Sequence, residues 1–89
     1  MPRITFTPQL QRHVASPTCD VAGKTLRAVL DAVFANHRAL RGYVLDEQDH
    51  LRKHVVIFID GARVRDREQL SDAVLPESEI YVLQALSGG

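Results

Sequence analysis

His54-Val55-Val56-Ile57-Phe58-Ile59-Asp60-Gly61 is the stretch whose reading decides the fold. Its apolar run is rich in β-branched residues and reads as a strand. Successive side chains of a strand face opposite sides, so Val55, Ile57 and Ile59 share one face and Val56 and Phe58 the other. Both faces are apolar, and each needs something to cover it. Asp60-Gly61 is a residue pair that tight hairpins favour, so Ala62 to Arg65 is predicted to return as a short antiparallel strand.

Upstream, the hydrophobic period changes. Leu26, Val29, Leu30, Val33 and Phe34 recur at spacings of three and four and form one stripe of an α-helix. Thr25 is suited to its N-cap, and Asn36 and His37 to a frayed or left-handed exit. Leu40, Tyr43, Val44 and Leu45 lack clean periodicity and are assigned to an irregular segment packed under the sheet, followed by a polar turn at Asp46–His50. Nearer the start, Arg3–Thr7 alternates as a half-buried strand ended by Pro8. Thr18–Ala22 makes a weaker second strand in which Cys19 and Val21 share a face, and Gly23 closes the pair.

Downstream, Leu70–Leu75 reads as a short helical turn or loop, Pro76-Glu77-Ser78-Glu79 as turn chemistry and Ile80–Leu83 as the last strand. The order is strand, strand, helix, strand, strand, strand. It defines an α+β domain, one main helix packed on a mixed sheet of four to five strands, and is similar to the β-grasp (ubiquitin-like) arrangement. Residues 1–83 are assigned to this domain and 84–89 to a flexible Gly-Gly tail.

The chain has 89 residues, 45% hydrophobic and 25% charged, a composition that suits a single folded domain and argues against a large catalytic cleft. Eleven basic side chains balance eleven acidic ones, so no net field draws the molecule to nucleic acid or an acidic membrane. Cys19 is the single cysteine, which excludes an internal disulfide and suits a reducing compartment. With no apolar stretch of signal-peptide or membrane-span length, the sequence reads as a soluble cytoplasmic protein.

The most informative chemistry is in Gln84-Ala85-Leu86-Ser87-Gly88-Gly89, directly after an apolar strand. Residues without a Cβ reach backbone conformations closed to others and can thread an extended main chain through a narrow channel. They would present the carboxylate of Gly89 with no side chain crowding the reacting carbon. Such a carboxylate is suited to attack the α-phosphate of ATP; the acyl-adenylate so formed accepts sulfur or an amine. A solvated chain end is the plain alternative for the dipeptide alone.

In this setting the chain resembles the MoaD/ThiS family of ubiquitin-like sulfur carrier proteins over essentially its whole length. The resemblance rests on the first strand, the Gly23-Lys24-Thr25-Leu26 approach to the helix, the Val55–Gly61 strand and turn, and Glu79-Ile80-Tyr81-Val82-Leu83 leading into Ala85-Leu86-Ser87-Gly88-Gly89. It implies that the chain is a carrier and not an enzyme, with no bound cofactor. A ubiquitin-activating-enzyme-like adenylyltransferase, using ATP, would adenylate Gly89. Sulfur from a persulfide or sulfide source would then give a C-terminal thiocarboxylate, which a sulfur-accepting synthase consumes in molybdopterin, thiamine, cysteine or related biosynthesis. Ala85, Leu86, Ser87 and Gly88 would lie in the partner's channel. Pro76-Glu77-Ser78-Glu79 replaces the family's frequent Asp-Gly-Asp turn, and Gln84-Ala85 stands where many molybdopterin-type members have proline. Both departures lean away from a molybdopterin assignment, and the overall length and the Ala85–Gly89 ending look closer to carriers serving cysteine or other thiocarboxylate-dependent biosynthesis. Two other readings stay open: a protein modifier conjugated through Gly89, and a non-covalent interaction module.

Val56, Phe58, Tyr81 and Leu83 alternate away from Val55, Ile57, Ile59, Ile80 and Val82, and are the candidate docking face unless Leu40–Leu45 and Leu70–Leu75 cover them. Arg63 and Arg65 share a face of the returning strand, either as a solvated edge that discourages strand pairing or as a contact for an acidic partner; Arg67 continues the alternation, and Arg52-Lys53 reads the same way. His50 and His54 lie near Asp46 and Asp49, but a strand from His54 onward keeps the two rings off a common helical face, so no metal site is expected. Cys19 reads as a small core residue and not a nucleophile.

Overall fold

The computed structural model describes residues 1–6 and 18–84. The expected strand end at Pro8 and the tail residues Ala85, Leu86, Ser87, Gly88 and Gly89 lie outside them. The described elements run β1 (Arg3–Phe6), β2 (Cys19–Asp20), α1 (Leu26–Asn36), α2 (Arg38–Val44), β3 (Val55–Ile59), β4 (Ala62–Arg63) and β5 (Glu79–Gln84). The strands form one mixed sheet in the order β2-β1-β5-β3-β4. β5 is central, parallel to β1 and antiparallel to β3, while β2 and β4 are antiparallel edges.

Strand alternation sends one face of this sheet into the core. Ile4 and Phe6 of β1, Val55 and Ile57 of β3, and Ile80 and Val82 of β5 are all buried there. They meet the α1 stripe of Leu26, Val29, Leu30, Val33 and Phe34, the stripe expected from the periodicity. Burying side chains of this size contributes about 1.5–3 kcal/mol each.

The first amides of a helix have no partner inside it. Here Thr25 Oγ1 accepts from Ala28 N at 3.2 Å, as its N-cap role predicts. Leu26 N and Arg27 N donate instead to Asp72 O (3.0 Å) and Leu70 O (2.8 Å), so the segment before β5 caps α1. Of the helical turn or loop expected from the sequence, the segment is the loop: Leu70 has φ 58°, a left-handed conformation that breaks a right-handed turn while its side chain is fully buried. Gly23 allows the close approach beneath α1, since a Cβ there would lie 2.8 Å from Val29 Cγ2 and 2.9 Å from Val29 N.

The helix exit differs from expectation. His37 has φ −139° and its amide donates to Val33 O and Phe34 O, so the exit is not left-handed. The chain resumes at once as α2, where an irregular segment was expected. Leu40 and Val44, one helical turn apart, are buried, and exposed Tyr43 beside Val44 and Leu45 hides that period in the sequence. Asp46–His50 is the expected turn, with the Asp46 carboxylate accepting from Gln48 N and His50 N. Among the described residues no helix is long and apolar enough to cross a membrane.

Candidate functional site

The register of β3 against β5 decides which apolar side chains stand together. Val56 pairs with Leu83 and Phe58 with Tyr81, while Ile57 pairs with Val82 and Ile59 with Ile80. Directly paired residues share a face, so Val56, Phe58, Tyr81 and Leu83 form one contiguous patch on the side away from the helices. Of the core-side partners Ile57, Ile80 and Val82 are buried and Ile59 is partly buried; Val56, Phe58 and Leu83 are half-buried and Tyr81 is 45% exposed. Leu40, Val44, Leu45, Leu70 and Val74, from the two segments that might have covered the patch, belong to the core cluster instead.

Thr5, opposite Tyr81 on β1, extends this outer face toward β2. Arg3 Nε bonds Asp20 Oδ1 at 3.2 Å on that side, and the Tyr81 hydroxyl donates to Glu79 Oε2 at 3.3 Å.

The start of β5 is fixed by the turn chemistry at either side of it. Asp60 (φ 52°) and Gly61 (φ 82°) make the hairpin that the Asp-Gly pair predicts, with both residues in the left-handed region. β4 is nevertheless only Ala62–Arg63, shorter than the expected Ala62–Arg65, because Arg65 N and Asp66 N turn away to the Asp72 carboxylate at 3.0 and 2.9 Å. The Asp60 carboxylate accepts from Glu79 N at 2.9 Å and from Ser78 Oγ at 2.7 Å. Those bonds, the Glu79 amide first, hold its carboxyl below the ordinary range. Ser78, 2% exposed, also accepts from Leu75 N at 2.9 Å. The sequence marked this turn but not Ser78, whose position three residues after Leu75 is its only signal.

At the other end, β5 runs one residue beyond the expected strand, so Gln84, assigned to the tail from sequence, pairs with Val55 in the sheet. The site from which residues 85–89 continue therefore lies beside the start of β3. Arg67 braces that start: its Nη2 donates to Arg52 O (2.6 Å) and Val55 O (2.8 Å). Arg52 Nε donates to Gly42 O at 2.8 Å, tying α2 to the same place. Thus Arg52 and Arg67 serve the backbone, while Arg63 and Arg65 are exposed.

With the sheet and its outer face in view, the family can be decided: the model of the ThiS family matches residues 9–89. The chain belongs to the ThiS family. No curated protein sequence matches it. Among solved structures it is similar to that of the Amycolatopsis orientalis BexX/CysO complex, with TM-score 0.84, 19% identity and 100% of each chain covered. Mycobacterium tuberculosis CysO gives TM-score 0.81 at 21% identity, over 97% of this chain and 100% of that one. Small archaeal modifier protein 1 from Methanosarcina acetivorans gives 0.80 at 22% identity, over 99% and 95%. These likenesses establish the ubiquitin-like β-grasp fold.

The remaining polar candidates in this ThiS-family chain serve structure. Asp46 spends its carboxylate on the turn, its acidity raised first by the His50 amide and also by that of Gln48. Asp49 pairs with Arg41. Among the described residues no three His, Cys, Asp or Glu side chains are grouped as metal ligands. Cys19 is half-buried against the core cluster, as Val21 is. Two braces carried no sequence signal. Arg27 donates to Gln69 O, Glu68 O and Asp49 O at 3.0–3.2 Å. Asp66 accepts from Ser71 Oγ and from the amides of Glu68, Gln69 and Ser71.

Proposed function

We propose that this protein is a sulfur carrier whose Gly89 carboxylate is activated by a partner. The observation that carries the proposal is the family match, which extends through residue 89 and so includes Gly88-Gly89. In this scheme the Gly89 carboxylate attacks the α-phosphorus of ATP bound by a ubiquitin-activating-enzyme-like adenylyltransferase, and pyrophosphate leaves. Sulfide attacking the acyl carbon expels AMP and gives a thiocarboxylate directly; a persulfide expels AMP to give an acyl disulfide, whose S–S bond a thiol of the donor then cleaves, releasing the thiocarboxylate and leaving the donor as a disulfide. A synthase takes that sulfur to its own acceptor. ATP belongs to the adenylating partner, and the carrier itself needs no bound cofactor.

The fold suits this division of labour. Five residues beyond Gln84 span at most about 18 Å when extended, enough to enter a partner's channel while the sheet stays outside it. The outer patch of Val56, Phe58, Tyr81 and Leu83 is the docking face in this reading, with Ala85–Ser87 making mainly backbone contacts along the channel.

A second reading is favoured by the likeness to small archaeal modifier protein 1. The same acyl-adenylate, attacked by a lysine amine with loss of AMP, would give an isopeptide conjugate. Intact mass of the protein after incubation with ATP, an adenylating enzyme and a sulfur source separates the two. Sulfur in place of one terminal oxygen, localised to Gly89, supports the carrier. An unmodified terminus beside covalent conjugates supports the modifier. Deletion of Gly88-Gly89 is expected to abolish AMP and sulfur acceptance with the fold intact; retained adenylation would refute both.

A further inference from the structure

The outer sheet face has one basic edge, at Arg63 and Arg65. Arg63 on β4 stands opposite Phe58. The Val64 amide donates to Ile57 O at 2.9 Å and the Val64 side chain is buried, so the contact with β3 reaches one residue past β4, and Arg65 follows where the chain turns to Asp72. Both arginines are exposed. Five other described arginines are engaged, Arg3 with Asp20, Arg41 with Asp49, and Arg27, Arg52 and Arg67 with backbone carbonyls, while Arg38 is exposed on α2, away from this face. Among the described residues no acceptor meets the guanidinium of Arg63 or Arg65. The opposite edge is neutralised by the Arg3–Asp20 pair, and Glu79 adds a negative charge near the start of β5.

A protein that covers Val56, Phe58, Tyr81 and Leu83 must also cover or border these two cations. Desolvating an arginine without a counter-charge is costly, whereas a carboxylate meets its fork with two parallel hydrogen bonds. We infer that Arg63 and Arg65 orient the docked partner by pairing with carboxylates set about 5 Å, one strand spacing, to the side of its apolar centre. The inference rests on the reading that the adenylating enzyme docks on this face. It adds that the contact surface of that enzyme is acidic on the side that meets β4, which fixes one orientation of the sheet and hence the direction in which β5 runs.

The test uses the full chain and the adenylyltransferase of its own genome, with ATP–pyrophosphate exchange measured against carrier concentration. R63E/R65E is expected to raise KM for the carrier by about tenfold or more while leaving kcat within about twofold, because a rim charge acts on encounter and orientation and not on the reacting atoms. R63K/R65K keeps the charge without the fork and should fall between. Raising salt from about 0.05 to about 0.5 M should increase the wild-type KM several-fold and leave that of R63E/R65E unchanged or lower. Equal urea midpoints for all forms confirm that the substitutions spare the fold.

Exchange by the wild type with an unchanged KM in R63E/R65E overturns the inference while preserving the carrier reading. No exchange by the wild type overturns the carrier reading, and the inference with it. A salt-sensitive dimer in sedimentation equilibrium that R63E/R65E abolishes would assign the arginines to Asp20 and Glu79 of a second copy, and so overturn the inference too.

Discussion

The two faces of β3 and β5 are drawn from the same run of apolar residues and have opposite fates. On one face Ile57 and Val82 are paired and wholly buried under α1; on the other Phe58 and Tyr81 are paired and left partly open. Side-chain chemistry does not distinguish them, since both are apolar. The difference lies in which side the connecting segments take: α1, α2 and the 70–74 segment all join the core. An apolar residue on the closed face holds the fold, while one on the open face is available to a partner.

The largest effect should come from breaking that contrast at one register step. Ile57→Ala removes a fully buried side chain and is expected to cost roughly 2–5 kcal/mol in urea unfolding. Tyr81→Ala, on the neighbouring strand but the open face, should cost less than about 1 kcal/mol while impairing partner binding. Equal losses of stability would mean that the two faces are not distinct.

Gly23→Ala tests how tightly the closed face is assembled. The new Cβ would meet the backbone nitrogen of Val29 as well as its side chain, and a backbone atom at the head of α1 has little room to yield. A destabilisation of about 1–3 kcal/mol is expected from differential scanning calorimetry. Ser78→Ala sharpens the comparison at the strand end, where both faces share one anchor. Losing the donor to Asp60 and the acceptor for Leu75 N should cost about 1–2 kcal/mol, with faster amide exchange at Leu75 and Glu79.

The smallest effect is electrostatic. Asp66 is held at about 2 by the Ser71 hydroxyl, then by the Gln69 amide, below its ordinary 3.8. A carboxyl depressed by folding stabilises the native state fully above its ordinary value, and that stability is lost as pH falls toward about 2. Ser71→Ala should move the Asp66 titration, followed by NMR of its carboxyl carbon, back toward 3.8, and so flatten the loss of stability between about pH 4 and 2.

Much of this architecture was legible in the sequence because periodicity reports burial directly. The α1 stripe, the alternation of β3, the Asp60-Gly61 hairpin and the Thr25 cap each follow from short-range rules. What was not legible depends on contacts distant in sequence. α2 was obscured because exposed Tyr43 lies beside buried Val44 and Leu45, and the choice between helix and irregular packing is made by the core. Arg67 looked like one of a row with Arg63 and Arg65, yet its bonds to Arg52 O and Val55 O need a chain that comes back alongside β3. The patch of Val56, Phe58, Tyr81 and Leu83 could be named from alternation, whereas its openness required knowing where the helices go.

The central position of β5 has a mechanical meaning. Its neighbours β1 and β3 grip it along its length, one parallel and one antiparallel, and residues 85–89 continue from its end. A pull along that end loads the ladders on both sides in shear, so several hydrogen bonds must yield together. A strand at the edge, pulled across its ladder, would release them one at a time. The body can therefore bear traction along the end of β5 without being peeled apart.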